Sequence, residues 1–180
     1  MRGFTLIELI VSLAVLSIIM AAGVPKFSDM LEEYYADIAL YDLRSVFQKS
    51  RILALNNSQE VIACPLKGNQ CSDDWTLPIA AFNDQNKNLK LDPEELLYFK
   101  ISNEVNHGVW YKKRVKANYI KFTAQGYAFS SATTFLYCPD SGNNNTAKQL
   151  VINFQGRIRI DSYLNASGSP YSNLSPLSCD

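Results

Sequence analysis

An apolar segment of 21 residues, interrupted by a single carboxylate, lies near the start of the chain. From Phe4 to Val24 the only charged residue is Glu8. A helix of this length spans a hydrocarbon core of about 30 Å. The run is longer than the apolar core of a cleavable secretory signal, and the small residue Gly3 precedes it rather than follows it. The sequence therefore predicts a membrane-spanning helix over residues 4–24, with a carboxylate in it that needs a partner.

The residues around this carboxylate form a processing pattern. The run Gly3-Phe4-Thr5-Leu6-Ile7-Glu8-Leu9 resembles the motif of the type IV prepilin family, in which a prepilin peptidase cuts after the glycine and methylates the new N-terminal phenylalanine. The resemblance implies a leader of residues 1–3, cleavage between Gly3 and Phe4, and methylation of Phe4. It also implies a single-pass inner-membrane protein that later enters a filament in the periplasm or on the cell surface of a Gram-negative bacterium.

Glu8 has no cationic side chain within its own segment, since the next Lys or Arg is Lys26. A filament supplies one, because the processed N terminus of a neighbouring subunit carries a free amine. Opposite charges attract strongly in a medium of low dielectric constant, and an uncompensated charge is penalised there. A heterologous contact that does not close generates a helical filament. We therefore expect Glu8 to act in assembly with other pilins.

Beyond the apolar segment, the sequence indicates one amphipathic helix followed by a β-rich domain. Apolar residues recur at helical spacing, with charges between them, over residues 25–56, and Asn56-Asn57 marks the expected end. Short strand patterns separated by turn signals follow over residues 57–180. They are Glu60–Cys64, Trp75–Asn83, Leu96–Ile101, Val109–Tyr111, Tyr119–Thr123, Thr134–Cys138, Gln149–Phe154 and Arg157–Tyr163. The predicted fold class is α+β, with a long N-terminal helix packed on a mostly antiparallel β head domain.

Four cysteines occur in the head domain, and an even number in a translocated chain suggests disulfides. Of the three possible pairings we prefer Cys64–Cys71, which closes a turn-rich loop, together with Cys138–Cys179, which ties down a polar tail. A zinc site is the alternative. It is disfavoured because the spacing of Cys64 and Cys71 is too long for a zinc pair and His107 is the one histidine.

The order of strand, cysteine, tryptophan and turn in the head resembles the minor pilins and pseudopilins of the FimT, FimU and GspH group, and FimT most of all. Cysteine placement and Trp75 carry this resemblance. Enzymatic activity is not indicated, because His107 has no recognisable nucleophile partner and no glycine loop could cradle a phosphate. We expect no cofactor.

One loop has the ligand spacing of a calcium-binding EF-hand. Five oxygen-bearing side chains occupy positions 1, 3, 5, 9 and 12 of a twelve-residue window; they are Asp84, Asn86, Asn88, Asp92 and Glu95. Leu89 stands where that motif requires glycine, and the flanks are strand-like. We therefore favour a structural turn stabilised by Asn and Asp side chains, and keep calcium as the alternative.

The charge is unevenly distributed, although the formal net charge is zero. From Lys26 to Phe99 there are 7 basic and 12 acidic residues, whereas from Lys100 to Ile160 there are 9 basic and 2 acidic residues. The second region therefore carries a positive field that the net charge conceals. A solvated basic face without a ligand is the alternative interpretation.

The run Gly156-Arg157-Ile158-Arg159 lies in this basic region. On a strand both arginines project from one face, about 7 Å apart, while Ile158 faces the core. Arginine binds phosphate with bidentate hydrogen bonds. The pattern resembles the C-terminal Gly-Arg-x-Arg motif of the FimT branch, which binds DNA during natural transformation. The resemblance implies that Gly156, Arg157 and Arg159 contact DNA without sequence preference.

A dense basic stretch could extend this surface. It comprises Lys112, Lys113, Arg114 and Lys116, beside Tyr111 and Lys121, and we expect Lys148 to join it. The alternative is a solvated loop. At the level of function, DNA uptake competes with a structural or priming subunit of a pilus or secretion pseudopilus that binds no nucleic acid.

Overall fold

The computed structural model of the protein describes residues 5–102, 107–113, 118–129, 132–143, 146–162 and 179. Its first element is a single helix, α1 (Leu6–Asn57). Thr5 caps the N terminus in a capping box with Glu8, and Ser58 ends the helix in the left-handed conformation. The helix therefore ends where the paired asparagines predict. It is long and apolar enough to cross a membrane.

The helix packs on the head only through its second part. Ala36, Leu40, Leu43 and Phe47 are fully buried in the core. Phe27, Tyr34 and Ile38, which belong to the apolar pattern of the predicted amphipathic helix, are exposed and do not pack on the head. Polar contacts of Glu33 and Asp37 with Lys148 join this part of the helix to the head. The helix residues before Leu31 whose side chains the structure describes are exposed, so the first half of α1 projects from the domain.

The described strands form two antiparallel sheets, which confirms the predicted fold class. One sheet has the order β2-β1-β3-β4, with β6 also paired to β1, and the other has the order β5-β7-β8-β9. The strands are β1 (Val61–Lys67), β2 (Gln70–Cys71), β3 (Ile79–Phe82), β4 (Leu97–Ile101), β5 (Gly108–Lys113), β6 (Ile120–Phe122), β7 (Thr133–Pro139), β8 (Lys148–Ile152) and β9 (Ile158–Ser162). The short strand β2 lies in a segment that the sequence marks only as a turn.

Both sheets pack on the second part of α1 around an aromatic core. The ring of Phe47 on the helix contacts the ring of Trp75, which lies in the turn before β3, and the ring of Phe135 in β7. Such ring pairs add to the burial of apolar area that stabilises the domain. The core thereby fixes both sheets to one rigid helix.

Both preferred disulfides are confirmed. Cys64–Cys71 joins the neighbouring strands β1 and β2. Cys138–Cys179 ties β7 to a residue 41 positions later in the chain. Leu136 and Ala147 pack against this second disulfide in a small separate cluster.

Candidate nucleic-acid interface

The hairpin between β8 and β9 positions the two arginines. Asn153 organises its turn, because its backbone N–H donates to the Arg157 carbonyl at 3.1 Å and its Oδ1 accepts from the Arg157 N–H at 2.8 Å. Ile158 and Ile160 pack on the core, as the strand alternation predicts. Arg157 is exposed where the turn meets β9, and Arg159 lies one pleat further along, opposite Val151.

The guanidinium of Arg157 has no hydrogen-bond or ion-pair partner within the part of the chain that the structure describes. Other cationic side chains have partners within the protein. The Arg51 guanidinium on α1 donates to two backbone carbonyls, and the Lys121 ammonium lies 3.4 Å from a Glu60 carboxylate oxygen. Arg157 therefore presents a charge that is available to an external anion.

Gly156 is buried and does not belong to the contact surface, contrary to the sequence prediction. Its N–H already donates to the Asn153 carbonyl at 2.9 Å. Its φ of +73° lies in the left-handed region, and an added Cβ would overlap the Gly126 carbonyl oxygen. The glycine of this motif therefore lets the hairpin pack against the segment around Gly126.

Lys148 is also not part of the predicted DNA-contact surface. Its ammonium lies 2.6 Å from Asp37 Oδ1 and 3.2 Å from Glu33 Oε1, and the side chain is only 12% exposed. Burial alone would lower the pKa of Lys148, but the hydrogen bonds and charges of Asp37 and Glu33 more than offset this and raise it. The charge is thus neutralised inside the protein, where it ties β8 to α1.

We expect Lys148→Met to lower the free energy of unfolding at neutral pH by about 1–2 kcal/mol. This loss lies between those typical for removing one partner of an exposed and of a buried ion pair. The lysine's pKa is raised by folding, so its contribution is present below the ordinary value of about 10.4 and is lost as the pH rises through the folded value. Thermal unfolding of wild type and variant at pH 7 and pH 11 tests this. An equal difference in stability at both pH values contradicts the ion-pair explanation.

Lys112 lies on the core-facing side of its sheet and therefore does not join the arginines. It pairs with the buried Phe135, and its Nζ stands 5.8 Å from the centre of the Trp75 ring. Burial lowers the pKa of Lys112, while the nearby charge of Asp73 opposes this shift. Arg159 belongs to the opposite face, because its neighbours in β9, Ile158 and Ile160, point to the core.

The rest of the basic stretch is only partly described. Lys113 pairs with Thr134, and Thr134 pairs in turn with Val151, the partner of Arg159. Lys113 and Arg159 thus occupy one row of the sheet. Arg114 and Lys116 lie outside the described residues, and their proposed role stays a prediction.

The Asp/Asn-rich loop is closed by its own hydrogen bonds. Asp84 accepts from the backbone N–H groups of Asn88 and Leu89, and Asp92 accepts from the side-chain amides of Asn86 and Asn88. Glu95 accepts from the N–H groups of Gln85 and Asp92. The amides of Asn86 and Asn88 lower the pKa of Asp92. These contacts favour the structural turn over the calcium alternative.

The assembly residues give a mixed result. Gly3 and Phe4 lie outside the described residues, so processing at that bond stays a prediction. Glu8 Oε2 accepts hydrogen bonds from the N–H and the hydroxyl of Thr5, both at 2.9 Å. An isolated subunit therefore satisfies this carboxylate locally, and pairing with a neighbouring subunit remains an expectation.

Three exposed aromatic side chains near the hairpin of Arg157 were not predicted from the sequence as part of a site. The rings of Tyr127 and Phe129 stack with centroids 4.9 Å apart. Between them, the Ala128 N–H donates to the Phe154 carbonyl at 2.9 Å, which brings the hairpin tip alongside. Tyr127, Phe129 and Phe154 are 39%, 61% and 60% exposed. The alternation Tyr127-Ala128-Phe129, with a small middle residue, is the signal that could have indicated a shared outward face.

Comparison with known proteins identifies relatives of the chain. A family profile described as type II transport protein GspH matches residues 39–156, and a profile of the prokaryotic N-terminal methylation motif matches residues 1–24. Two crystal forms of the type IV minor pilin FimU from Pseudomonas aeruginosa strain PAO1 have similar folds. They show 18% and 19% identity and TM-scores of 0.57 and 0.54, and the matches cover 84% and 80% of this chain and 99% of each FimU chain. No curated protein sequence matches the chain.

Proposed function

The chain belongs to the GspH family and is a minor pilin or pseudopilin of a type IV pilus or a type II secretion system, and we propose that in this role it binds DNA. The family and fold are those of structural proteins rather than enzymes. The apolar helix anchors the subunit in the inner membrane before assembly, and we propose that a prepilin peptidase cuts between Gly3 and Phe4. Glu8 then pairs with the N terminus of a neighbouring pilin.

The exposed guanidinium of Arg157 is the observation that carries the DNA proposal. It has no partner among the described residues, and Arg159 follows on the same side of the chain, about 7 Å away by strand rise. Guanidinium groups remain charged at any physiological pH and bind phosphate oxygens in pairs. Two of them in series fit successive phosphates along one nucleic-acid strand.

The proposed contacts involve phosphate alone, so they carry no sequence information. Affinity that depends on neutralised phosphates also falls steeply with salt. Both properties suit a subunit that captures arbitrary extracellular DNA for natural transformation, and this is the biological role we propose.

A structural or priming subunit without a nucleic-acid ligand is the second candidate. This candidate is favoured because two side chains predicted to contact DNA instead contact other parts of the protein. Lys148 pairs with Asp37 of α1, and Lys112 lies against Trp75. The positive surface is therefore smaller than the count of basic residues indicates. Binding measurements on the two arginines separate the candidates.

We expect full-length protein in detergent micelles to bind a fluorescent DNA duplex at low salt, and Arg157→Gln with Arg159→Gln to weaken binding at least tenfold. Each lost charge-assisted hydrogen bond removes about 1.5–3 kcal/mol. Fluorescence anisotropy measures the affinity. The matched control, Lys49→Gln with Lys100→Gln, removes two exposed charges, one on α1 and one on β4, and should change the affinity less than about twofold.

Two outcomes would contradict the DNA proposal. Wild-type protein that shows no binding at tens of micromolar supports the structural candidate. Equal losses in the arginine variant and the lysine control would show that the binding depends on overall charge rather than on the hairpin. Thermal unfolding of every variant checks that Arg159, which is half-buried, does not act through folding.

A further inference from the structure

The exposed aromatic side chains of Tyr127, Phe129 and Phe154 lie on two neighbouring chain segments and are here together called the aromatic platform. Single exposed apolar side chains are ordinary on protein surfaces, whereas a contiguous cluster marks a binding site. Tyr127 and Phe129 stack on each other, and the hydrogen bond from Ala128 to Phe154 joins their segment to the hairpin. The platform therefore combines a stacked pair of rings on one segment with a third exposed ring on the segment hydrogen-bonded to it.

The backbone beneath the platform is held on both sides. Thr123 exchanges hydrogen bonds with Tyr127, whose carbonyl accepts at 2.9 Å and whose N–H donates to the Thr123 hydroxyl at 3.2 Å. Ala128 is fully buried in the core. From α1, Arg51 donates to the carbonyls of Gly126 and Gln155, which lie one on each segment. The rings are thus presented by a preorganised backbone, which reduces the entropy lost on binding.

The platform lies near the C-terminal end of α1, away from the membrane segment. Arg51, which holds it, stands roughly 40 Å from Val24 along the helix at 1.5 Å per residue. Arg157 follows Phe154 by three positions in the same hairpin and adds an exposed positive charge to this part of the head. A ligand for this site needs flat apolar faces and negative charge together.

We propose that the aromatic platform binds single-stranded DNA, whose bases stack on the rings of Phe129 and Phe154 while its phosphates contact Arg157. The inference rests on the proposed DNA-binding function and specifies the form of DNA. In a duplex the faces of the bases are covered by their neighbours, whereas a single strand can offer them to aromatic side chains. The combination of stacking surface and positive charge fits the single strand better than a neighbouring pilin, which would not need the charge.

The test compares a single-stranded 20-nucleotide oligothymidine with a duplex of the same length, using fluorescence anisotropy and full-length protein in detergent micelles. We expect wild type to bind the single strand more tightly. Phe129→Leu with Phe154→Leu keeps the patch apolar but removes the rings, and we expect about a tenfold loss or more for the single strand and less than twofold for the duplex. Tyr34→Ala with Tyr41→Ala, which removes two exposed rings on α1, should change neither affinity.

Three results would overturn the inference. Unchanged single-strand affinity in the leucine variant, with duplex binding still dependent on Arg157 and Arg159, refutes the platform and leaves the proposed function intact. No binding of either DNA by wild type removes both. If Phe129→Ala with Phe154→Ala instead weakens association between copies of the chain, measured by sedimentation, while both DNA affinities stay unchanged, the platform is a contact between pilins.

Discussion

Replacing Gly156 with alanine is expected to destabilise the protein by about 3 kcal/mol or more, even though the change adds a single methyl group. The new Cβ would overlap the Gly126 carbonyl oxygen and stand 3.0 Å from Arg51 Nε. It would therefore break the 2.9 Å hydrogen bond between those two groups and push the hairpin away from its neighbour. Overpacking of this kind costs about 1–3 kcal/mol, and the left-handed backbone adds about 1–2 kcal/mol for a residue with a Cβ.

Gly142→Ala is the matched control for this prediction. Gly142 has a similar φ of +70°, but an added Cβ would meet no atom within 4 Å. Its alanine variant should therefore lose only the backbone contribution, about 1–2 kcal/mol. At roughly 2–4 °C per kcal/mol for a chain of this size, thermal unfolding followed by near-ultraviolet circular dichroism resolves the two variants. Equal losses would show that the contact with Gly126 is unimportant.

Replacing Cys138 and Cys179 together by alanine is expected to lower the free energy of unfolding by about 4 kcal/mol. The disulfide closes a loop between residues 41 positions apart, and the chain-entropy relation assigns about this value to a loop of that length. The buried side chain of Leu136 would also lose its packing against the disulfide. The midpoint of thermal unfolding should fall by roughly 10 °C.

The shorter disulfide provides the comparison. Cys64 and Cys71 are only 7 positions apart, so their alanine double variant should lose about 2.5 kcal/mol by the same relation. Both double variants are compared without reductant at the same pH. A larger loss from the shorter loop would mean that strand packing around β2, rather than the entropy of the unfolded chain, decides the effect.

Sequence periodicity predicted most of the fold because its signals are local. The predicted strand Leu96–Ile101 differs by one residue from β4, and the predicted end of the helix agrees with the observed end at Asn57. The two-residue strand β2 was missed, because its pairing with β1 lies within a segment rich in turn residues. Trp75–Asn83 was too long a strand, since Asp74 folds the residues after it into a turn by accepting from Thr76.

The candidate site was predicted less well, because its geometry depends on contacts between distant segments. Lys148 finds its acidic partners on a helix 111 and 115 positions earlier in the chain, and no local pattern reveals this. Lys112 is directed inward by its register against Phe135. The aromatic platform exists only because Ala128 meets Phe154. Arg157 was identified correctly as an exposed residue, since a turn followed by a strand fixes its surroundings locally.

The salt dependence of DNA binding shows whether the two arginines contact phosphate, because it counts the phosphates that the protein neutralises. The dissociation constant for a long duplex is measured by anisotropy between 50 and 200 mM salt for wild type, for Arg157→Gln with Arg159→Gln, and for Lys49→Gln with Lys100→Gln. If both arginines contact phosphate, the slope of log K against log salt should become shallower by about 1.8 in the arginine variant alone, at about 0.9 per phosphate. Identical slopes in all three proteins would show that Arg157 and Arg159 do not contact phosphate.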